Sequence, residues 1–226
     1  MRDNLASLVK GNLASLGALA ALLALVALLV VPMMSLGGST ADSGTERDAG
    51  ATARMKDVDG DSVGVVRFEA LKGGKVEVRA NVKGVVPRDQ FHGFHLHTTG
   101  KCNPNAVDPE TDENVPFFSA GGHFDPGSDI HSEHAGDFPV LLVMSNGQAQ
   151  EKFVTDRFKL SQLFDADGSA VIIHEGRDNY ANIPATTDGE KRYHSHLEDV
   201  FGPDSLTKAT GDAGDRFACG VVRKAS

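Results

Sequence analysis

The sequence predicts an all-β domain, an antiparallel sandwich or barrel with two long loops, preceded by an amino-terminal hydrophobic helix. Three observations predict it. Short runs of alternating apolar and polar residues recur from Val63 to the end, with turn signals between them. Two stretches, 98–139 and 175–215, break that pattern, and loops so long inside a compact domain are usually functional. No charged residue lies between Lys10 and Asp42.

The elements follow in order. Leu13–Val31 is a run of Leu, Ala and Val interrupted only by Ser15 and Gly17. As a helix it spans about 28 Å, close to the ~30 Å hydrocarbon layer of a bilayer. Arg2 and Lys10 precede it and Asp42, Glu46 and Asp48 follow it, which leaves the amino terminus inside and exports the rest. Residues 1–36 therefore read as an uncleaved signal anchor or as a signal peptide cut near Ser39-Thr40-Ala41. The run exceeds the usual ~7–15-residue signal core, which favours the anchor. The expected location is outside the cytoplasm: on the membrane facing outward, or secreted or periplasmic if the segment is removed. Residues 37–55 are small, polar and aperiodic, the pattern of a flexible linker, and the domain is expected over 56–226.

Within that domain the expected strands are Val63–Phe68, Lys75–Val82, Phe91–His97, Val140–Met144, Gln150–Val154, Ala170–His174 and Phe217–Val222. Lys72-Gly73-Gly74, Asn146-Gly147 and Asp165–Gly168 supply turns. A short helix is expected near Leu160–Phe164.

Composition narrows the function. Lys and Arg total 22 against 31 Asp and Glu, a net charge of −9, which argues against a general nucleic-acid binder. Trp is absent and Tyr numbers 2, so base-stacking platforms are not expected. The two cysteines, Cys102 and Cys219, cannot make a four-thiolate zinc site. Nine histidines remain, and imidazole is the commonest metal ligand. His95 and His97 are two apart on an expected strand, so both rings point to one face, as two ligands of one ion would. The same spacing also occurs on plain half-exposed strands. His174 ends another strand, where a lone histidine is often a core residue. His123, His131, His134 and Asp137 share one loop and match the nitrogen and oxygen donors that zinc takes. Gly136 between the last two lets the backbone turn sharply.

Together these segments resemble the copper/zinc superoxide dismutase family. The resemblance rests on Gly93-Phe-His95-Leu-His97, Ser119-Ala-Gly-Gly-His123-Phe-Asp-Pro126, His131, His134-Ala-Gly-Asp137, Ile172-Ile-His174-Glu and Gly211-Asp-Ala-Gly-Asp-Arg216-Phe-Ala-Cys219-Gly. It covers about residues 60–224 in the family's order. The short gap from His97 to Cys102 and Asn179-Tyr-Ala-Asn-Ile-Pro184 look like the bacterial branch.

The resemblance implies an eight-stranded, immunoglobulin-like Greek-key barrel that dismutates superoxide at a copper ion beside zinc. It implies copper ligands His95, His97, His123 and His174. The implied zinc ligands are His123, His131, His134 and Asp137, with His123 bridging the ions. Asp178 would link a copper ligand to a zinc ligand, and Cys102 and Cys219 would form the intrachain disulfide. Arg216 would orient the anion and Thr210 would narrow the channel, with Lys191, Arg192 or Lys208 adding positive charge. His92 alternates out of register with His95 and is expected to face away. His194 and His196 form a second His-x-His with no assigned role. Rival readings are a non-catalytic metal-binding module and an adhesion-like β-domain on a membrane tether. The expected assembly is a monomer or a homodimer.

Overall fold

A computed structural model describes residues 50–127, 130–187 and 190–225. The hydrophobic run 13–31 and most of the expected linker lie outside the described residues. Among the described residues, no helix is long and apolar enough to cross a membrane.

The strands are β1 (Gly50–Asp57), β2 (Ser62–Ala70), β3 (Val76–Val82), β4 (Gln90–His92), β5 (Phe94–His97), β6 (Leu141–Val143), β7 (Ala149–Thr155), β8 (Ala170–His174), β9 (Thr186–Thr187), β10 (Glu190–Lys191), β11 (His194–Ser195), β12 (Val200–Phe201) and β13 (Arg216–Lys224). A single short α-helix, α1 (Ser205–Thr210), stands out among 3-10 turns in the described residues. One of those turns, Leu160–Phe164, occupies the expected helical site.

Seven strands form one antiparallel sheet in the order β5-β8-β13-β1-β2-β3-β7, and β4 pairs with β6. Neighbours distant in sequence, such as β1 beside β13, are what a closing Greek-key barrel requires. Alternation explains the burial: Val66 and Phe68 of β2 point inward while Arg67 and Glu69 point out. Phe68, Phe94, Phe138, Leu96, Leu141 and Leu163 fill the core, with the Phe94 and Phe138 rings 5.2 Å apart.

Two expectations need correction. The linker expected over 37–55 runs into β1, which starts at Gly50 and lies between β2 and β13. Its inward residues Ala51, Ala53 and Met55 are buried, but two of them are small and give the sequence little hydropathic contrast. The single run Phe91–His97 is two strands, broken at Gly93, whose N–H bonds to Gly176 O while its carbonyl accepts from His174 N. That break sends β4 to β6 and β5 to β8.

Candidate metal centre

β5 is the foundation of the site. Its Phe94 and Leu96 face the core, so His95 and His97 face outward, where the loops cover them. On the neighbouring strand, His174 ends β8, and Arg216 opens β13 opposite it in register.

Loop 98–139 reaches this face by pairing with β5. His123 bridges to His97 and Asp137 bridges to His95 as isolated antiparallel contacts. Gly136 makes that docking possible: its N–H bonds to Phe124 O and its carbonyl accepts from Leu96 N. A Cβ at Gly136 would clash with the Leu96 carbonyl. Loop 175–215 closes from the other side. His131 N donates to Lys208 O, and Gly211, at φ +60°, leaves no room for a side chain beside Asp178 and His131.

The result is a buried cluster of six imidazoles and two carboxylates. The ring centroids of His95, His97, His131 and His134 lie 4.0, 5.0, 5.2 and 5.4 Å from that of His123. Two sets of four donors lie within 4.8 Å of one another: His95, His97, His123 and His174, and His95, His123, His131 and Asp137. His134 is absent from the second set, but its Nδ1 lies 3.2 Å from Asp137 Oδ2, beside His131 Nδ1 at 3.0 Å. His123 Nδ1 faces the other oxygen of Asp137 at 2.8 Å.

Hydrogen bonds decide which nitrogen each ring offers. His97 Nδ1 donates to Gly121 O and His174 Nδ1 to Gly214 O, both at 2.9 Å. Asp178 takes His95 Nε2 at 2.6 Å and His131 Nε2 at 2.7 Å, one oxygen each. Among the opposite nitrogens, His95 Nδ1, His97 Nε2 and His174 Nε2 are buried without a hydrogen-bond partner, while His131 Nδ1 and His134 Nδ1 have only the Asp137 carboxylate beside them. Burying a polar atom unpaired is costly, and three in one cluster, with two more converging on a shared carboxylate, fit an ion-binding role. His95 has one nitrogen left, so it can serve one ion only. That leaves His134 to complete the second set.

Charge separates the two sets. Burial, then the neighbouring His123 and Arg216, hold His97 well below its ordinary value, and burial with His95 does the same to His174. Burial and His95 bring His123 down to about 3. Burial also opposes charge on His131, but the Asp137 and Asp178 carboxylates outweigh it and lift that ring to about 9. Burial favours protonation of both aspartates, and their histidine partners overcome it, holding each carboxyl well below its usual range.

Arg216 donates from Nη1 to Phe117 O at 2.5 Å and from Nη2 to Gly121 O at 2.7 Å. It shares Gly121 O with His97, so the guanidinium and that ring are held by one atom. Cys102 and Cys219 are joined in a disulfide with Cα atoms 5.6 Å apart.

Thr210 directs its hydroxyl back to Leu206 O within α1. Lys191 sits over the Phe201 ring and Arg192 over Tyr193. His92 faces away from the cluster, buried between the carbonyls of His174 and Pro87. His194 and His196 have rings 5.0 Å apart on the β11–β12 pair, where His194 meets Asp199. The sequence reading missed the role of Tyr180: its ring lies parallel to His131 and its hydroxyl accepts from Val140 N. The signal available was its place two residues after Asp178, whose Oδ1 accepts the Tyr180 N–H.

A family model described as "Copper/zinc superoxide dismutase (SODC)" matches residues 62–222. The chain belongs to that family, whose members are oxidoreductases acting on superoxide. The curated superoxide dismutase [Cu-Zn] of Mycolicibacterium paratuberculosis is 36% identical over 187 residues, 82% of this chain and 79% of that protein. That of Mycobacterium tuberculosis is 37% identical over 192 residues, covering 82% and 78%. Among solved structures, the Cu/Zn superoxide dismutase from Brucella abortus matches with a TM-score of 0.54 and 28% identity, over 77% of this chain and 99% of that one. Together these put the chain among the bacterial members.

Proposed function

We propose that this chain is an exported superoxide dismutase, converting two superoxide anions and two protons to dioxygen and hydrogen peroxide. One observation carries the reading: the buried nitrogens of His95, His97, His174 and His131, each opposite a hydrogen-bonded one, belong to two four-donor sets that share His123, with His134 Nδ1 beside the second. In this reading His95, His97, His123 and His174 hold copper, and His123, His131, His134 and Asp137 hold zinc. Bound there, copper supplies one-electron redox chemistry, while zinc is redox-silent and supplies fixed charge.

The chain's own groups do the rest. Arg216 keeps two N–H groups on Phe117 O and Gly121 O, which fixes its plane. The N–H groups that remain present a preorganised donor surface to a small anion. Desolvation of that guanidinium lowers its pKa to about 10, so it stays charged at neutral pH. His123 turns Nδ1 to Asp137, one of the residues that would hold zinc, so Nε2 is the nitrogen left to take up a proton. In the metal-free chain, burial and the adjacent rings disfavour a second proton on this imidazole. Asp178 fixes the tautomers of His95 and His131 together. A local positive focus at Arg216 draws in the anion against the chain's net negative charge.

The test is superoxide dismutation by the copper- and zinc-loaded chain against a chelator-treated control. Activity only in the loaded sample supports the reading, and none in either removes it. Export rests on residues 1–36, which we read as a signal anchor. Mass spectrometry of the mature amino terminus tests this: an intact Met1 supports the anchor, and a start near Ala41 or Asp42 means cleavage.

A further inference from the structure

A second concave site lies on the outer face of β1 and β13, behind the disulfide. It is a cavity of about 330 Å³, floored by the Cys102–Cys219 bridge, Phe117 and Val221 and rimmed by Arg54, Lys56 and Arg223. Its volume falls at the lower end of small-molecule pockets, enough for a body of one or two rings.

The rim is unusual for this chain. Acidic residues outnumber basic ones overall, yet three exposed cations meet here and, among the described residues, none has an ion pair. Strand register explains why. Across the ladders Arg54 faces Val65, Lys56 faces Ser62 and Cys219, and Arg223 faces Thr52, so no carboxylate stands opposite any of them. Farther along the same face the fold does pair its cations: Glu77 takes both Arg79 and Lys152. The one acid on the rim, Asp57, is occupied by its own turn, accepting from Asp59 N and Asp61 N.

The floor is rigid. Phe117 is 2% and Cys219 1% exposed. Phe117 N donates to Asn103 O while its carbonyl accepts from Arg216. An apolar floor already in place, under several unpaired cations, suits a ligand with both characters and costs little ordering.

We propose that this cavity binds a small amphiphilic anion, one or two apolar rings bearing a carboxylate or sulfonate. The rings lie on Val221 and the Cys102 end of the disulfide, over the buried Phe117, and the anionic group takes the Arg54, Lys56 and Arg223 donors. The site is separate from the metal centre and does not depend on its chemistry.

Equilibrium dialysis of naphthalene-2-sulfonate against the metal-loaded full-length chain tests it. One molecule should bind per chain, and the Arg54→Glu, Arg223→Glu double variant should bind it at least about tenfold more weakly, since charge-assisted contacts are lost. The Lys83→Glu variant, altered outside the cavity, should bind as the parent does. Unchanged thermal midpoints show that the variants keep the fold. The neutral 2-naphthol and inorganic sulfate should each bind at least about tenfold more weakly than naphthalene-2-sulfonate, since each lacks one half of the recognition. Equal binding of 2-naphthol would remove the rim from the argument, and equal binding of sulfate would remove the floor. Undiminished binding by the double variant overturns the site itself.

Discussion

The two halves of the metal centre are built from the same ring but held by different partners. On the side proposed for copper, His97 and His174 donate to the backbone carbonyls of Gly121 and Gly214. On the side proposed for zinc, Asp137 and Asp178 surround His131. A carbonyl orients a ring without adding negative charge, so burial and Arg216 keep His97 and His174 neutral. Carboxylates add two charges and draw a proton, or a cation, to His131. The carbonyl half is thus arranged to admit an anion, and the carboxylate half to retain a cation.

Four experiments break or sharpen that contrast, from the largest effect down. The carbonyl half rests on loop 98–121, which Cys102–Cys219 ties to β13. Cys102→Ser with Cys219→Ser releases a loop of 117 residues, a loss of about 5 kcal/mol by chain entropy. Urea unfolding should show it, with superoxide turnover falling further than zinc content. Equal falls would mean that the bridge supports both halves alike.

Arg216→Ala removes a charged donor, worth about 1.5–3 kcal/mol, so kcat/KM for superoxide should fall about 10–100-fold while metal content holds. The salt dependence of the rate should flatten as well. An unchanged rate would take Arg216 out of the mechanism.

Asp178→Asn keeps the shape but removes the charge shared by His95 and His131. Metal affinity should fall by about 10–100-fold, as such outer partners usually cost, with zinc lost first in a chelator titration. Loss of copper alone would reverse the assignment of the halves.

The smallest effect is on pH. In the metal-free chain His123 is depressed from 6.5 to about 3, so its contribution is present above pH 6.5 and is lost as pH falls toward 3. His131 is raised from 6.5 to about 9, so its contribution is full below pH 6.5 and is lost as pH rises through 9. Urea midpoints of the metal-free chain should therefore peak near pH 6.5 and fall toward both 5 and 9. A steady rise from pH 5 to 9 would contradict the carboxylate half.

The histidines were legible because chemistry and local period coincide in them. Two residues of spacing on a strand put His95 and His97 on one face, and His123, His131, His134 and Asp137 crowd one loop. What holds them was not legible. Gly121 and Gly214 act through carbonyl oxygens, which every residue has, and only the folded loops select them. The same limit hid β1. Gly50-Ala-Thr-Ala-Arg-Met is a strand because β2 and β13 flank it, a long-range cause that small side chains do not announce. Missing β1 also hid the cationic rim, since Arg54 and Lys56 fell at the junction of the expected linker and domain. The break at Gly93 was invisible too, because both of its halves carry strand-forming residues.

Asp178 grips one ring from each half, His95 with one oxygen and His131 with the other. Filling either half immobilises this clasp and so readies the ring across it. Under the proposed assignment any coupling between the two ions runs through this clasp, and whatever factor the first lends the second, the second returns in equal measure.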